Sequence, residues 1–199
     1  MDKIEKTYKS ELRRVFLFES LPAPLTAASS HLQIFDNYIE NTRLRIRSVR
    51  SPETKEWTFI LQQRFAVGAD LSHWKIAEIY LNDAEHQAFE RFEGRKIKIN
   101  ERLESNEIRK NRYFLEIGGR QIKFDIFLGD LWGLNLARVC FDTENELKNY
   151  GVPPFAVFEV TNSSFFTGEN LVGKKFADVR EELAIMQRNK ELLTTDKHK

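Results

Sequence analysis

Residues 42–50, TRLRIRSVR, set arginines 43, 45 and 47 against Leu44 and Ile46. An extended strand points successive side chains to opposite faces, whereas a helix would spread these positions around its circumference. The pattern therefore predicts a strand with one cationic and one apolar face. The alternation recurs along the chain: it groups Glu11, Arg13 and Val15, then Lys110 with Arg112, Lys123 with Asp125, Arg138 with Cys140, and Glu159 with Thr161. A single charged strand face is ordinarily a solvated outer surface. Repetition over several strands favours a second arrangement, in which the apolar faces pack beneath helices and the charged faces enclose a wet or counter-charged interior.

Between these stretches the chain is punctuated for turns. Residues 9–18 read as a strand closed by LPAP, where proline restricts the backbone. The arginine strand and WTFILQQRF form a hairpin across SPETKE, WKIAEIYL is a further strand, and KIKIN is extended. Asn82 with Glu85 caps a helix over DAEHQAFERFE that Gly94 ends, and Thr143 with Glu146 caps a second that Gly151 ends. Gly118 and Gly119 join IRKNRYFLEI to RQIKFDIF as a two-residue hairpin. LNLARVCF and FAVFEVT are the last strands. Phe176, Val179, Leu183 and Met186 form one face of a terminal helix, and residues 194–199 form a fraying tail. The reading is an α+β chain: an antiparallel, eight-stranded, closed or nearly closed β-barrel with helices packed outside, in a single domain over 1–199.

Composition narrows the partners. A formal charge of +1 confines any positive field to a local surface. Nucleic acid is an unfavoured partner: Tyr38, Trp57 and Tyr113 read better as packing rings than as base platforms, and Trp74 and Trp132 as core or loop anchors. No apolar run is long enough to span a bilayer, and MDKIEKTYKSE lacks the apolar core of a signal peptide. With the lone cysteine, Cys140, this fits a cytoplasmic protein. That cysteine is read first as a small buried hydrophobe. His31, His73, His86 and His198 show no ligand spacing, so no zinc site is assigned.

The order of motifs resembles the CYTH family, the triphosphate tunnel fold of class IV adenylyl cyclases, thiamine triphosphatases and inorganic triphosphatases, from about residue 9 to residue 185. ELRRVFLFESLP is similar to the family's Glu-x-Glu-x-Lys stretch, IFDNYIENTRLRIR to its Arg-x-Arg strand, and RKNRYFLEIGGRQIKFDIFLGDLWGLNLARVCF to its Lys-x-Arg-Tyr hairpin followed by Glu-x-Glu-Phe. FAVFEVT resembles its closing Glu-Val-Thr strand. Family members hold triphosphate with tunnel arginines and lysines and hold divalent metal with carboxylates. The matching positions here are Glu11, Arg45, Arg47, Lys110, Arg112, Asp125 and Glu159. Gln62 stands where members often carry lysine. Arg13 and Val15 depart from the first motif, and Arg138 and Cys140 replace both acids of the late Glu-x-Glu.

Exchanging three carboxylates for two arginines and a cysteine moves the interior by about five charge units. Hard dications require oxygen ligands, so the resemblance implies a catalytically degenerate protein that binds a phosphorylated small molecule or polyphosphate without metal. Arg13, Arg43, Arg45, Arg47, Lys110, Arg112, Lys123 and Arg138 are its ligand-binding candidates, with Glu11, Asp125 and Glu159 as residual acids. No catalytic residue or cofactor is assigned. Magnesium or manganese enters only with the alternative, a metal-dependent triphosphatase or nucleotidyl cyclase. A further alternative is an interaction module whose tunnel is filled by its own side chains.

Overall fold

The computed structural model describes residues 8–99 and 102–195, and their side chains except at 96–104 and 189–195. In chain order the strands are β1 (Lys9–Phe18), β2 (Leu32–Tyr38), β3 (Leu44–Arg50), β4 (Trp57–Val67), β5 (Asp70–Leu81), β6 (Lys96–Ile99), β7 (Arg102–Ser105), β8 (Glu107–Ile117), β9 (Arg120–Phe127), β10 (Asn135–Phe141) and β11 (Ala156–Glu159). The helices are α1 (Asp83–Gln87), α2 (Glu144–Asn149) and α3 (Phe176–Thr195).

Eight antiparallel strands run in the order β10-β9-β8-β2-β3-β4-β5-β1, and pairing of β1 with β10 closes the ring. One edge of β1 serves two neighbours in turn. Its first residues pair with β5, and Phe16–Phe18 pair with β11. The short hairpin β6–β7 stands apart from this sheet. The turn between β8 and β9 uses Gly118 and Gly119, both at positive φ, as a two-residue hairpin of matching twist requires.

Strand alternation sorts the side chains. On β3, Arg45 and Arg47 line the barrel interior, while Ile46, fully buried, faces outward. Outside β1, β9 and β10, Phe16, Phe124 and Val139 form an apolar cluster with Leu147 of α2, and Tyr150 and Phe155 pack against it. Each such side chain contributes about 1.5–3 kcal/mol by leaving water. The capping box predicted for α2 is present, with Thr143 accepting from the Glu146 backbone.

The first helix is shorter than the sequence predicts. α1 has its Asn82–Glu85 capping box but stops at Gln87, and a 3₁₀ turn over Glu90–Phe92 follows. Sheet contacts claim the groups that would continue it: His86 stacks on Phe59 with ring centroids 3.7 Å apart, the Asn37 side chain accepts from the Gly94 N–H, and Asn106 donates to the Phe92 carbonyl. Tertiary contacts override local propensity here.

A second apolar cluster lies across one end of the barrel. Leu17, Ile108, Phe127 and Leu136 from the strands pack against Phe166, Leu171 and Val172 of the segment after β11, and against Val179 of α3. Phe176, Leu183 and Met186 extend this contact along the predicted face of α3. Among the described residues no helix is long and apolar enough to cross a membrane.

Candidate functional site

The charged interior is organised by two carboxylates. Asp36 on β2 faces Arg47 on β3 in register, and Arg47 grips it in parallel, Nε to Oδ1 at 2.6 Å and Nη2 to Oδ2 at 2.8 Å. Arg45 donates to the same carboxylate at 3.2 Å, and Lys110 stands 3.6 Å away. Asp125 on β9 repeats the motif with its register partner Arg112 on β8, at 2.6 and 2.7 Å, and lies 3.0 Å from Lys110. Two parallel bonds per pair fix direction as well as charge. Burial raises the proton affinity of both acids. Arg45, Arg47 and Lys110 outweigh it for Asp36, and Arg112 and Lys110 for Asp125, so both stay far below the usual carboxylate range. Lys110 is pushed down to about 7, burial outweighing the support of Asp125 and Asp36.

A second group occupies the neighbouring wall. Two guanidinium groups lie over the indole of Trp74, Arg13 at 4.2 Å and Arg64 at 4.6 Å from the ring centroid. Both cations therefore face an aromatic quadrupole. Glu11 accepts from Arg13 at 3.3 Å and stands 3.6 Å from Arg64. Burial opposes its ionisation, but Arg138, Arg64 and Arg13 bring it down to about 2. Burial and the nearby Arg138 push Arg13 down to about 9.

These pairings leave donors over. Arg13 Nε, Arg64 Nη2 and Arg138 Nε are buried without a hydrogen-bond acceptor, and each such group costs about 1–3 kcal/mol while unmade. All three residues line one cavity, with Asp36, Arg45, Lys110 and Asp125 on its polar side. Val15, Ile108, Phe127, Leu136, Phe166 and Leu171 close the other side, so the interior ends blind against the apolar cluster. Its free space of about 40 Å³ accommodates a few waters, each needing roughly 10–15 Å³.

No family model and no curated protein matches the sequence. Solved structures do match. A crystal structure of the hypothetical protein NE1496 aligns over 83% of this chain and 99% of its own, with 19% identity and a TM-score of 0.52. A second crystal structure, of the inorganic triphosphatase NE1496, covers 81% and 93% at the same identity and TM-score. The chain has the triphosphate tunnel fold. A putative adenylyl cyclase from Hippeastrum, described as having a dominant triphosphatase activity, aligns more distantly, over 69% of this chain and 82% of its own at 11% identity and a TM-score of 0.42.

Within the tunnel the sequence-derived candidates divide. Arg13, Arg45, Arg47, Lys110 and Arg112 are buried there, and Arg138 and Lys123 are partly exposed on the same inner face. Arg43 is outside: β3 begins only at Leu44, Asn41 turns at a φ of 58°, and the exposed Arg43 lies over Phe65 at 4.5 Å. The alternation does not extend into that turn. Glu159 is also outside. Its register partner is Phe16, on the outer face, and it accepts from Arg14 and from Thr161. Cys140 is a partly exposed side chain on the inner face, opposite Arg13, and not a buried hydrophobe. Trp132 is 73% exposed and anchors nothing in the core.

Asp36, Arg64 and the enclosing role of Trp74 escaped the sequence reading. Arg64 continues the every-second-residue series of Ile60 and Gln62, a signal that was available. Gln62 itself accepts from Arg45 through Nε and Nη2, and Tyr38 accepts from Arg45 Nη1.

The acids left in the tunnel do not fit a divalent cation. Among the described residues no three Asp, Glu, His or Cys side chains converge as a metal-binding group. Glu11, Asp36 and Asp125 already serve cations of the protein, which would repel a dication.

Proposed function

We propose that the tunnel binds the phosphoryl end of a small anion, such as a nucleoside triphosphate, a signalling nucleotide or a short polyphosphate, without divalent metal and without turning it over. The observation that carries this reading is the set of buried guanidinium N–H groups, on Arg13, Arg64 and Arg138, that lack acceptors beside a polar cavity. Phosphoryl oxygens are the acceptors that planar guanidinium groups match best. The shared fold with an inorganic triphosphatase supports a phosphate-bearing ligand. The pairing of Glu11, Asp36 and Asp125 with cations of the protein supports metal-free binding.

Calorimetry with tripolyphosphate, ATP, GTP and cyclic nucleotides in the presence of a chelator tests the proposal. Binding is expected with chelator present, and no phosphate or cyclic nucleotide should be released when magnesium or manganese is added. Binding that needs the metal, or turnover that Glu11→Gln abolishes, would establish the metal-dependent triphosphatase or cyclase instead.

A further inference from the structure

We propose that a cleft on the outside of the barrel binds a small free alkylammonium ion that carries an oxygen acceptor, a ligand of the choline type. The site is separate from the tunnel and does not depend on the function proposed above.

Ser48 shares the outer face of β3 with Ile46, and register sets Phe35 of β2 on one side of it and Phe59 of β4 on the other. Asn37 and Trp57 stand two residues along the same strands, so they continue that face. His86 and Glu93, from the segment after β5, and Glu107, the register partner of Asn37, complete the lining of a cleft. Its free space is about 280 Å³, just under the roughly 300–1,000 Å³ of sites for drug-sized ligands. The occupant is therefore small.

The walls are aromatic. Phe35 meets Trp57 at 5.6 Å, Trp57 lies parallel to Phe59 at 6.1 Å, and the other contact of Phe59 is its stack on His86. Trp57 is 47% exposed, which leaves indole surface open. Such rings attract alkylammonium ions. Arg50 lies over Trp57 at 5.9 Å but is held by Gln33 and is not part of the lining.

Charge points the same way. Among the described residues no lysine or arginine lines the cleft, and two carboxylates do. Glu93 engages His86 and Ser48 through Oε1 alone, so Oε2 has no hydrogen-bond partner among the described residues. Glu107 stands 3.4 Å from Arg109, whose half-exposed side chain offsets part of its charge. Asn37 adds a donor. It is 1% exposed, its Oδ1 accepts from the Gly94 N–H, and its Nδ2 makes no hydrogen bond among the described residues. A hydroxyl or carbonyl oxygen close to the ammonium group supplies the acceptor that this amide lacks.

The test is an NMR titration of the full chain with choline that follows the indole N–H signals, Trp57 being assigned with Trp57→Phe. Two analogues separate the contributions. Neohexyl alcohol is the uncharged carbon isostere of choline, and propyltrimethylammonium keeps the charge but lacks the oxygen. Choline should shift the Trp57 signal saturably and leave that of the buried Trp74 unmoved. Neohexyl alcohol should bind at least about tenfold more weakly, and propyltrimethylammonium about fivefold more weakly. Glu107→Gln and Trp57→Ala, both at partly exposed side chains, should weaken choline binding without loss of the folded spectrum. Equal binding of choline and neohexyl alcohol would overturn the proposal and mark the cleft as a plain apolar contact surface. Absence of a saturable Trp57 shift would overturn it as well. Equal binding of choline and propyltrimethylammonium would remove the oxygen acceptor and the part given to Asn37. Should phosphatidylcholine vesicles capture the chain while free choline leaves Trp57 unmoved, the occupant is a lipid headgroup and the free-ion site falls.

Discussion

Asp36 is the residue on which the tunnel's charge balance turns. It is 1% exposed and is the shared counter-ion of Arg45, Arg47 and Lys110. Removing one member of a buried pair leaves the other desolvated and uncompensated, at a cost of about 3–5 kcal/mol. Asp36→Asn should lose about that much stability in urea at neutral pH. The pH dependence follows from the same residue together with Glu11 and Asp125. All three carboxyls are held below their unfolded values, so the unfolded chain takes up protons first as pH falls. Their contribution is fully present above about pH 5 and is lost from the unfolded carboxylate range, near 4, down toward and below 2. The urea midpoint of the native chain should fall steeply over that window, and more shallowly in Asp36→Asn. Equal slopes would show that Asp36 does not carry the acid response. Little in the sequence marked this residue. A lone aspartate in IFDNY has no pattern of its own, and its partners come from β3 and β8, which only the register assembles.

At the scale of elements, alternation was legible wherever a strand was regular, and it failed where a strand ended. Arg45 and Arg47 follow the pattern inward, but Arg43 lies in the turn before β3 and Glu159 on a short strand whose outer face meets Arg14. The segment after β11 was not legible at all. It has no period, and its work is to lay Phe166 and Leu171 across the barrel end. Gly168 lies in that segment because a β-carbon there would overlap the Tyr38 hydroxyl, which accepts from Arg45. Gly168→Ala must displace the Tyr38 ring or the segment, an overpacking that costs about 1–3 kcal/mol. It should also weaken tripolyphosphate binding, because Arg45 loses one of its fixed acceptors. If calorimetry gives unchanged affinity with the expected loss of stability, Tyr38 supports the fold alone and does not set the position of Arg45.

For the whole molecule, a formal charge of +1 conceals a separation of charge that the fold creates. The barrel gathers guanidinium groups from β1, β3, β4, β8 and β10 inside, where Glu11, Asp36 and Asp125 pair with some of them. The closed antiparallel barrel was legible because alternation and tight turns act locally. The blind end and the ion pairing were not, because they depend on contacts between residues far apart in sequence, such as Ile108 with Leu171. A ligand that supplies the missing negative charge should therefore stabilise the fold as a whole. A ligand at a hundred times its dissociation constant adds about 2.7 kcal/mol, and for a chain of this size each kcal/mol moves Tm by about 2–4 °C. Saturating tripolyphosphate in the presence of a chelator should thus raise Tm by roughly 5–10 °C, whereas sodium chloride at equal ionic strength should not. The shift should shrink when Arg13 or Arg64 is replaced by glutamine, since each then offers fewer N–H groups to phosphoryl oxygens. An unchanged Tm with tripolyphosphate would mean that the interior satisfies itself, and that the tunnel serves as a charged core rather than as a binding site.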